Sequence, residues 1–453
     1  MSRRPGTRAQ PIKVGGYDLT PGMLITFEPE SVGDAVAAIT NSAGVKDVAY
    51  AADFSTAVDV ERLRGAGMTV FANLGVAIAE LDPDQEVGVA SLPASPAPVR
   101  AVEPEPIFFA FADDLPNDFG AYLRGYKDAV DHLYSRAFEG RGATPGLIAG
   151  SGVGGYADSQ QTTWGLQATK VDTSLLSGRG VRVAILDTGL DLDHPDFRGR
   201  AVTHASFIPG QDVQDDNGHG THCAGTACGP KTPIRGPRYG IAHEAEIFVG
   251  KVLTNQGSAL GRSTLAGIEW AVRNGCHIIS MSLGGLVLPG QSYSAAFENT
   301  ARAALQQGSL IIAAAGNDSR RSQGVIKPVS NPANCPSIMA VAAVDRNLRV
   351  ADFSNAAINP DAAVDIAGPG VEIYSSAPEP TAPIQPPHFR QWAAQYDTIS
   401  GTSMATPHVA GIAALLKEAN PTMSAGDLWR LLVSRASPLS FPASDTGAGL
   451  AQV

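Results

Sequence analysis

Two patterns of apolar positions divide the chain. From about residue 166 onward, short unbroken apolar runs stand between amphipathic stretches. VRVAIL (181–186), IFVGKVL (247–253), HIISMSL (277–283), LIIAAA (310–315) and IMAVAAV (338–344) do not alternate with polar residues. Such runs predict strands buried on both faces. Helical spacing is predicted over His219 to Cys228, Ser263 to Asn274, Ser294 to Gln307, Ser403 to Ala419 and Ser424 to Arg435. Strands of this kind separated by helices predict an α/β fold, a mostly parallel sheet with helices on both faces.

Residues 20–110 follow a different rhythm. Met23 to Phe27, Met68 to Phe71, Val76 to Ile78 and Val99 to Val102 are short strand patterns. Ser31 to Ser42 has helical spacing, with Ser31 as N-cap and Val32, Ala35, Val36 and Ile39 on one face. This is a small α+β unit, and the Pro-rich stretch SLPASPAPVRAVEPEP (91–106) marks its end. Residues 1–19 read as a disordered arm. Residues 111–165 read as a connector, with one helix at 118–138 and an exposed Gly-rich run, GSGVGGYADS (150–159). The catalytic candidates below all fall in residues 166–453.

Composition narrows the function classes. The chain has 453 residues, 44% of them hydrophobic, enough for more than one core. Its formal net charge of −11 argues against a nucleic-acid partner, which basic patches would bind. No apolar stretch reaches the roughly 18 residues of a membrane span. The N-terminus, MSRRPGTRAQPIKVGGYD, lacks the apolar core of a secretory signal. The protein is therefore expected in the cytoplasm, or outside it by a non-classical route. Cys223, Cys228, Cys276 and Cys335 form no Cys-x-x-Cys pair, so buried free thiols are expected and a zinc site is not.

Four segments carry candidate chemistry. In GTSMATPH (401–408), Ser403 opens an apolar helical run containing Met404, Ala405, Val409, Ile412, Leu415 and Leu416. A hydroxyl there meets free N–H groups and the positive end of the helix dipole, which suits a nucleophile and equally an N-cap. In VRVAILDTGLDLDHPDF (181–197), Asp187 ends a buried strand, where the functional groups of open α/β sheets gather. In DDNGHGTHCAGT (215–226), His219 opens a helix of small residues. In AAAGNDS (313–319), Asn317 follows Gly316 at a strand end. Taken singly, these are also ordinary turn, cap and core positions.

Taken together, the segments resemble the subtilisin family of serine proteases, in its chain order Asp, His, Ser. The resemblance spans roughly residues 160–445, and Cys223 after Thr221-His222 resembles the proteinase K branch. It implies that Ser403 is the nucleophile, His219 its base, Asp187 the group that orients His219, and Asn317 an oxyanion donor. It further implies that Ser282, Leu283, Gly284 and Gly285 pair with an extended polypeptide substrate. Ala314, Ala315 and Gly316 would then wall the P1 pocket, with Ser330 near its base, and small linings there suit a large apolar P1 residue. No cofactor is required. Calcium is the one ion the resemblance raises, with Asp196 and Asp365 at family cation-ligand positions, although GPKTPIRGPRYG (229–240) does not resemble the family's main calcium loop.

The α+β unit is similar to the inhibitor-type propeptide of subtilisins. This implies a zymogen whose own N-terminal domain blocks the cleft until autocatalytic cleavage within residues 106–165. A single chain is expected to act alone, as a monomer. Two other classes compete. A catalytically silent binding protein would need a damaged site, and none of the four residues is replaced. An α/β-hydrolase esterase would need Gly-x-Ser-x-Gly and the order Ser, Asp, His, whereas the serine here comes last.

Overall fold

The computed structural model describes residues 21–51, 67–110, 155–379 and 394–453, together with the backbone of residues 12–14 and 17–19. The helix expected at 118–138 and the start of the Gly-rich run lie outside the described residues.

Seven strands form the central sheet, in the order Val202–Ser206, Glu246–Lys251, Arg182–Asp187, Ile278–Met281, Leu310–Ala314, Met339–Val344 and Ile366–Pro369. Every neighbouring pair is parallel. Helices His219–Cys228 and Thr402–Ala419 pack on each other, and helices Gly261–Arg273 and Ala295–Gln306 do likewise. Val183, Ala184, Ile185 and Leu186 on one central strand are all buried, as a sheet covered on both faces requires.

Five predicted runs and five predicted helices are present. Val202–Ser206 carried no apolar run because it is an edge strand whose Thr203 and His204 face solvent. Ile366–Pro369 (IAGP) reads locally as a turn, and only its pairing with Met339–Val344 makes it a strand. The run HIISMSL is not one strand. Ile278–Met281 belongs to the parallel sheet, whereas Leu283–Gly284 turns away to pair elsewhere, with the buried Ser282 as the pivot. Among the described residues no helix is long and apolar enough to cross a membrane.

The N-terminal unit is a five-stranded sheet, in the order Val48–Tyr50, Met68–Phe71, Val76–Ala79, Met23–Phe27 and Val99–Pro104. Its period-2 alternation serves two cores. Ile25, Phe27, Ala77 and Ala79 pack with Ala35 and Ile39 of helix Val32–Ala43 and with Val89 of helix Pro83–Ala90. Leu24, Val76 and Ile78 point the other way and join the core of the larger unit. Ser31 precedes the first helix as expected but makes no capping bond there. The arm also differs from expectation. Ile12–Val14 and Tyr17–Leu19 pair as an antiparallel ribbon, consistent with alternating IKV and YDL around Gly-Gly.

Polar contacts join the two units. The Glu103 carboxylate sits at the start of helix Ala295–Gln306, accepting from Ser294 Oγ and from the Ala295 and Ala296 amides at 3.1 Å each. Acidic charge is favoured at that end of a helix. Arg262 pairs with Glu80 at 2.7 Å and with Glu105 at 2.6 Å, and Asn73 donates to Glu269 at 2.6 Å.

Candidate active site

Asp187 is the last residue of its strand, and His219 is the first of its helix. Gly218, at φ +97°, makes the left-handed turn that starts the helix there. The carboxylate and the ring meet with His219 Nδ1 2.8 Å from Asp187 Oδ1, and both side chains are buried. The same oxygen accepts from the Thr188 amide at 2.7 Å. Burial alone would lower the pKa of His219. The Asp187 carboxylate, with a smaller contribution from Cys223, more than offsets this and holds it well above the usual histidine range.

Ser403 lies in the first turn of helix Thr402–Ala419, which packs against the His219 helix. Cys223 touches both groups, its sulfur 3.9 Å from His219 Nδ1 and 3.5 Å from the Ser403 carbonyl oxygen. Burial pushes this thiol up, as expected for an inert cysteine, and all four cysteines are free and buried. The Ser403 hydroxyl donates to the Ser282 carbonyl at 3.1 Å, and Ser282 Oγ donates to the Ser403 carbonyl at 2.8 Å. His219 Nε2 has no hydrogen-bond partner among the described residues.

Asn317 is fixed by Thr402. Its Oδ1 accepts from the Thr402 amide at 2.9 Å and from the Thr402 hydroxyl at 2.8 Å, which fixes the side-chain amide beside the start of the serine helix. The small-residue wall also assembles. Ala314 ends its strand, Ala315 donates to Val341, and Ser330 donates its amide to the Ala315 carbonyl at 2.9 Å. Gly316 sits at φ +111°, and a Cβ there would lie 2.3 Å from Ser330 Oγ, so only glycine fits. Gly285 exchanges backbone bonds with Asn331, which joins this wall to the 282–285 segment.

A strand already lies in the groove beside the 282–285 segment. Ile107–Ala110 pairs antiparallel with Leu283–Gly284 on one side and with Ser258–Leu260 on the other. Ala110 also donates to the Gly257 carbonyl at 2.8 Å. A Cβ on Gly285 would come within 2.8 Å of the Ile107 carbonyl oxygen, so the missing side chain permits this approach. Phe108 is buried edge-on against Phe297, with ring centroids 5.0 Å apart. Nothing in the sequence marks this strand. IFFA reads as an ordinary apolar run, and its partners are distant in the chain.

The two candidate cation ligands have different hydrogen-bond partners. Asp196 accepts from the Tyr239 hydroxyl at 2.6 Å, the Tyr396 hydroxyl at 3.0 Å and the Ile234 amide at 2.8 Å. Asp365 accepts from the Ala340 amide at 2.7 Å, and burial raises its pKa to about 6. Protein donors thus hold both carboxylates. Among the described residues, the one group of three clustered ligand-type side chains is Asp187, His219 and Cys223.

Known proteins carry the same segments. The subtilase family profile matches residues 178–450. M-protease of Shouchella clausii (strain KSM-K16) is 40% identical over 270 residues, 59% of this chain and 62% of that protein. Subtilisin Savinase of Lederbergia lenta is 40% identical over 270 residues, 59% of this chain and 88% of that protein. The match therefore spans less than two thirds of M-protease but most of Savinase. Among solved structures, Sphericase superposes with a TM-score of 0.53 at 30% identity, covering 65% of this chain and 99% of that one. The matched span includes the buried Asp187–His219 pair, Asn317 and the Ser403 helix, and on that ground this chain belongs to the subtilase family.

Proposed function

We propose that this chain hydrolyses peptide bonds in extended polypeptides through an acyl-enzyme on Ser403. The observation that carries this reading is the buried 2.8 Å contact between His219 and Asp187, beside a serine at a helix start and a groove that holds a peptide strand. Ser403 Oγ turns from Ser282 and attacks the substrate carbonyl carbon, while His219 Nε2 takes its proton. Asp187 holds Nδ1–H and stabilises the imidazolium. Asn317 Nδ2 and the Ser403 amide donate to the oxyanion. The tetrahedral adduct collapses, the C–N bond breaks, and His219 returns the proton to the leaving amine. Water then attacks the acyl-enzyme by the same route and restores Ser403.

We further infer that residues 20–110 act as an intramolecular inhibitor. Ile107–Ala110 fills the groove in the manner of a substrate, and the Glu103 and Arg262 contacts hold the domain over it. Cleavage of the chain by its own site would release the block. The small residues at 314–316 and Ser330 support a pocket for a large apolar P1 side chain. The reaction needs no cofactor, and a single chain supplies every group in it.

Labelling decides the central point. After the N-terminal domain is removed, a fluorophosphonate should modify Ser403 and abolish casein hydrolysis. If Ser403 stays unlabelled in that form, the peptidase reading fails.

A further inference from the structure

Asp187 and His219 come from different elements, a strand end and a helix start, and no covalent link sets their distance. The hydrogen bonds around them do so by way of two residues with no role in the reaction above. Asp215 is 1% exposed. Its Oδ1 accepts from Thr188 Oγ1 at 2.8 Å, the Gly218 amide at 2.8 Å and the Asn217 amide at 3.2 Å. Its Oδ2 accepts from the Thr221 amide at 2.8 Å and the Thr221 hydroxyl at 2.7 Å. One carboxylate therefore ties the turn before His219 to the helical turn after it, and both to Thr188.

Thr188 is held at every polar atom. Its amide donates to Asp187 Oδ1, the oxygen that faces His219. Its hydroxyl accepts from the Gly220 amide at 2.8 Å while donating to Asp215. Its carbonyl accepts from the buried Lys251 ammonium, which stands opposite Asp187 in the sheet register. The approach is tight, since a Cβ on Gly220 would lie 2.3 Å from the Gly189 carbonyl oxygen. The bonds close a ring running from Asp187 through Thr188 and Asp215 to the helix start and back through His219. Asp187 Oδ2 has no partner among the described residues. Without the ring, little would stop the carboxylate from turning and presenting that oxygen at another angle.

We propose that Asp215, acting through the Thr188 hydroxyl, is a positioning residue that sets the distance and angle between the Asp187 carboxylate and the His219 ring. The effect on turnover rests on the peptidase reading, whereas the geometry does not. Misplacement by about 1 Å costs on the order of a hundredfold in rate, so a loosened ring should act on kcat rather than on substrate binding.

The test compares Asp215→Asn, Thr188→Val and Thr188→Ser in the full chain, each activated by the same trace of wild-type enzyme. Asp215→Asn puts an amide where two donors point, and Thr188→Val keeps shape without the hydroxyl. Both should lower kcat about ten- to a hundredfold with KM within about twofold, and Thr188→Ser should recover wild-type kcat within about twofold. The downfield proton resonance of the His219 Nδ1–H···Asp187 bond, read on unactivated chain, should weaken or move upfield in the first two and persist in Thr188→Ser. The proposal is overturned if the first two keep wild-type kcat and resonance, or if Thr188→Ser is as impaired as Thr188→Val. It is also overturned if both fail to fold, which would assign the pair to stability alone. A wild-type chain that hydrolyses nothing sinks the peptidase reading, and the resonance still decides the positioning role.

Discussion

Ser403 Oγ is hydrogen-bonded to the carbonyl of Ser282 at 3.1 Å, and not to His219. The proposed nucleophile is thus parked on the backbone of the segment that also pairs with the Ile107–Ala110 strand. The contact fixes where a bound peptide must present its carbonyl.

That relationship predicts the bond cut first. Leu283 faces Ala110 and Gly284 faces Phe109, so Ser282 faces the next residue of any peptide continued in this register. Counting one residue on from Ala110 in the sequence selects the bond between Phe111 and Ala112. The aromatic residue at the cut agrees with the large apolar preference proposed for the pocket. N-terminal sequencing of the C-terminal fragment should begin at Ala112, and Ser403→Ala protein incubated alone should remain full length. A first cut in the Gly-rich run would mean that Ile107–Ala110 leaves the groove before cleavage.

The two charge partners of Arg262 predict how latency fails. Glu105 is almost fully buried, and it accepts from Arg262 Nε at 2.9 Å and from the Arg262 and Gly22 amides at 2.7 and 2.9 Å. Arg262→Ala leaves that carboxylate without its guanidinium in a buried interface. Breaking one half of a buried pair costs about 3–5 kcal/mol. The N-terminal domain should loosen, and the lag before casein hydrolysis by full-length protein should shorten. An unchanged lag would show that the latch contributes little to the block.

The raised pKa of His219 predicts an alkaline enzyme. A general base works only when neutral, so activity should rise with pH and level off above the pH at which an ordinary histidine would have lost its proton. The same shift bears on stability with the opposite sign. The charged ring gains from Asp187 in the folded state, so its contribution is full below the unfolded histidine pKa of about 6.5 and is lost as pH rises through the raised folded value. A pH profile of kcat/KM checks the first statement. An acid limb centred below about 6 would contradict it.

Asp365 supplies a test of both stability and calcium. Burial raises its carboxyl to about 6, so the folded state holds a proton that the unfolded chain releases near pH 4. Stability therefore falls as pH rises between these values, by on the order of 3 kcal/mol. Asp365→Asn keeps an acceptor for the Ala340 amide and removes the buried charge. Its melting temperature should exceed wild type by several degrees at pH 8 and match it near pH 4. If a cation neutralises Asp365, the sign reverses in calcium, and Asp365→Asn then melts below wild type only when calcium is present.

The sequence by itself determined the class of the larger unit and singled out its candidate chemistry. Unalternated runs such as VRVAIL announce strands buried on both faces. Asp187, His219 and Ser403 each sit at the end or start of an element, where the local signal is strongest. Gly218 and Gly316 mark turns that only glycine makes easily. These features were legible because each depends on the spacing of a few neighbouring residues. Thr188 and Asp215 lay within the quoted segments, but nothing local separates a ring-closing Asp215 from a turn aspartate. Its meaning comes from a bond to another element. The same holds for Asp196, whose carboxylate is satisfied by tyrosines from two other segments.

Tertiary structure alone decided what fills the groove and how the two units share a sheet face. IFFA is an apolar tetrapeptide that could have entered any core. It becomes a strand through backbone bonds to Gly257, Ser258–Leu260 and Leu283–Gly284. Backbone pairing depends little on side-chain identity, so the sequence carries almost no record of it. In the same way, Leu24, Val76 and Ile78 alternate as in any half-buried sheet. Only the assembled structure shows that their outer face is closed by the larger unit rather than by water.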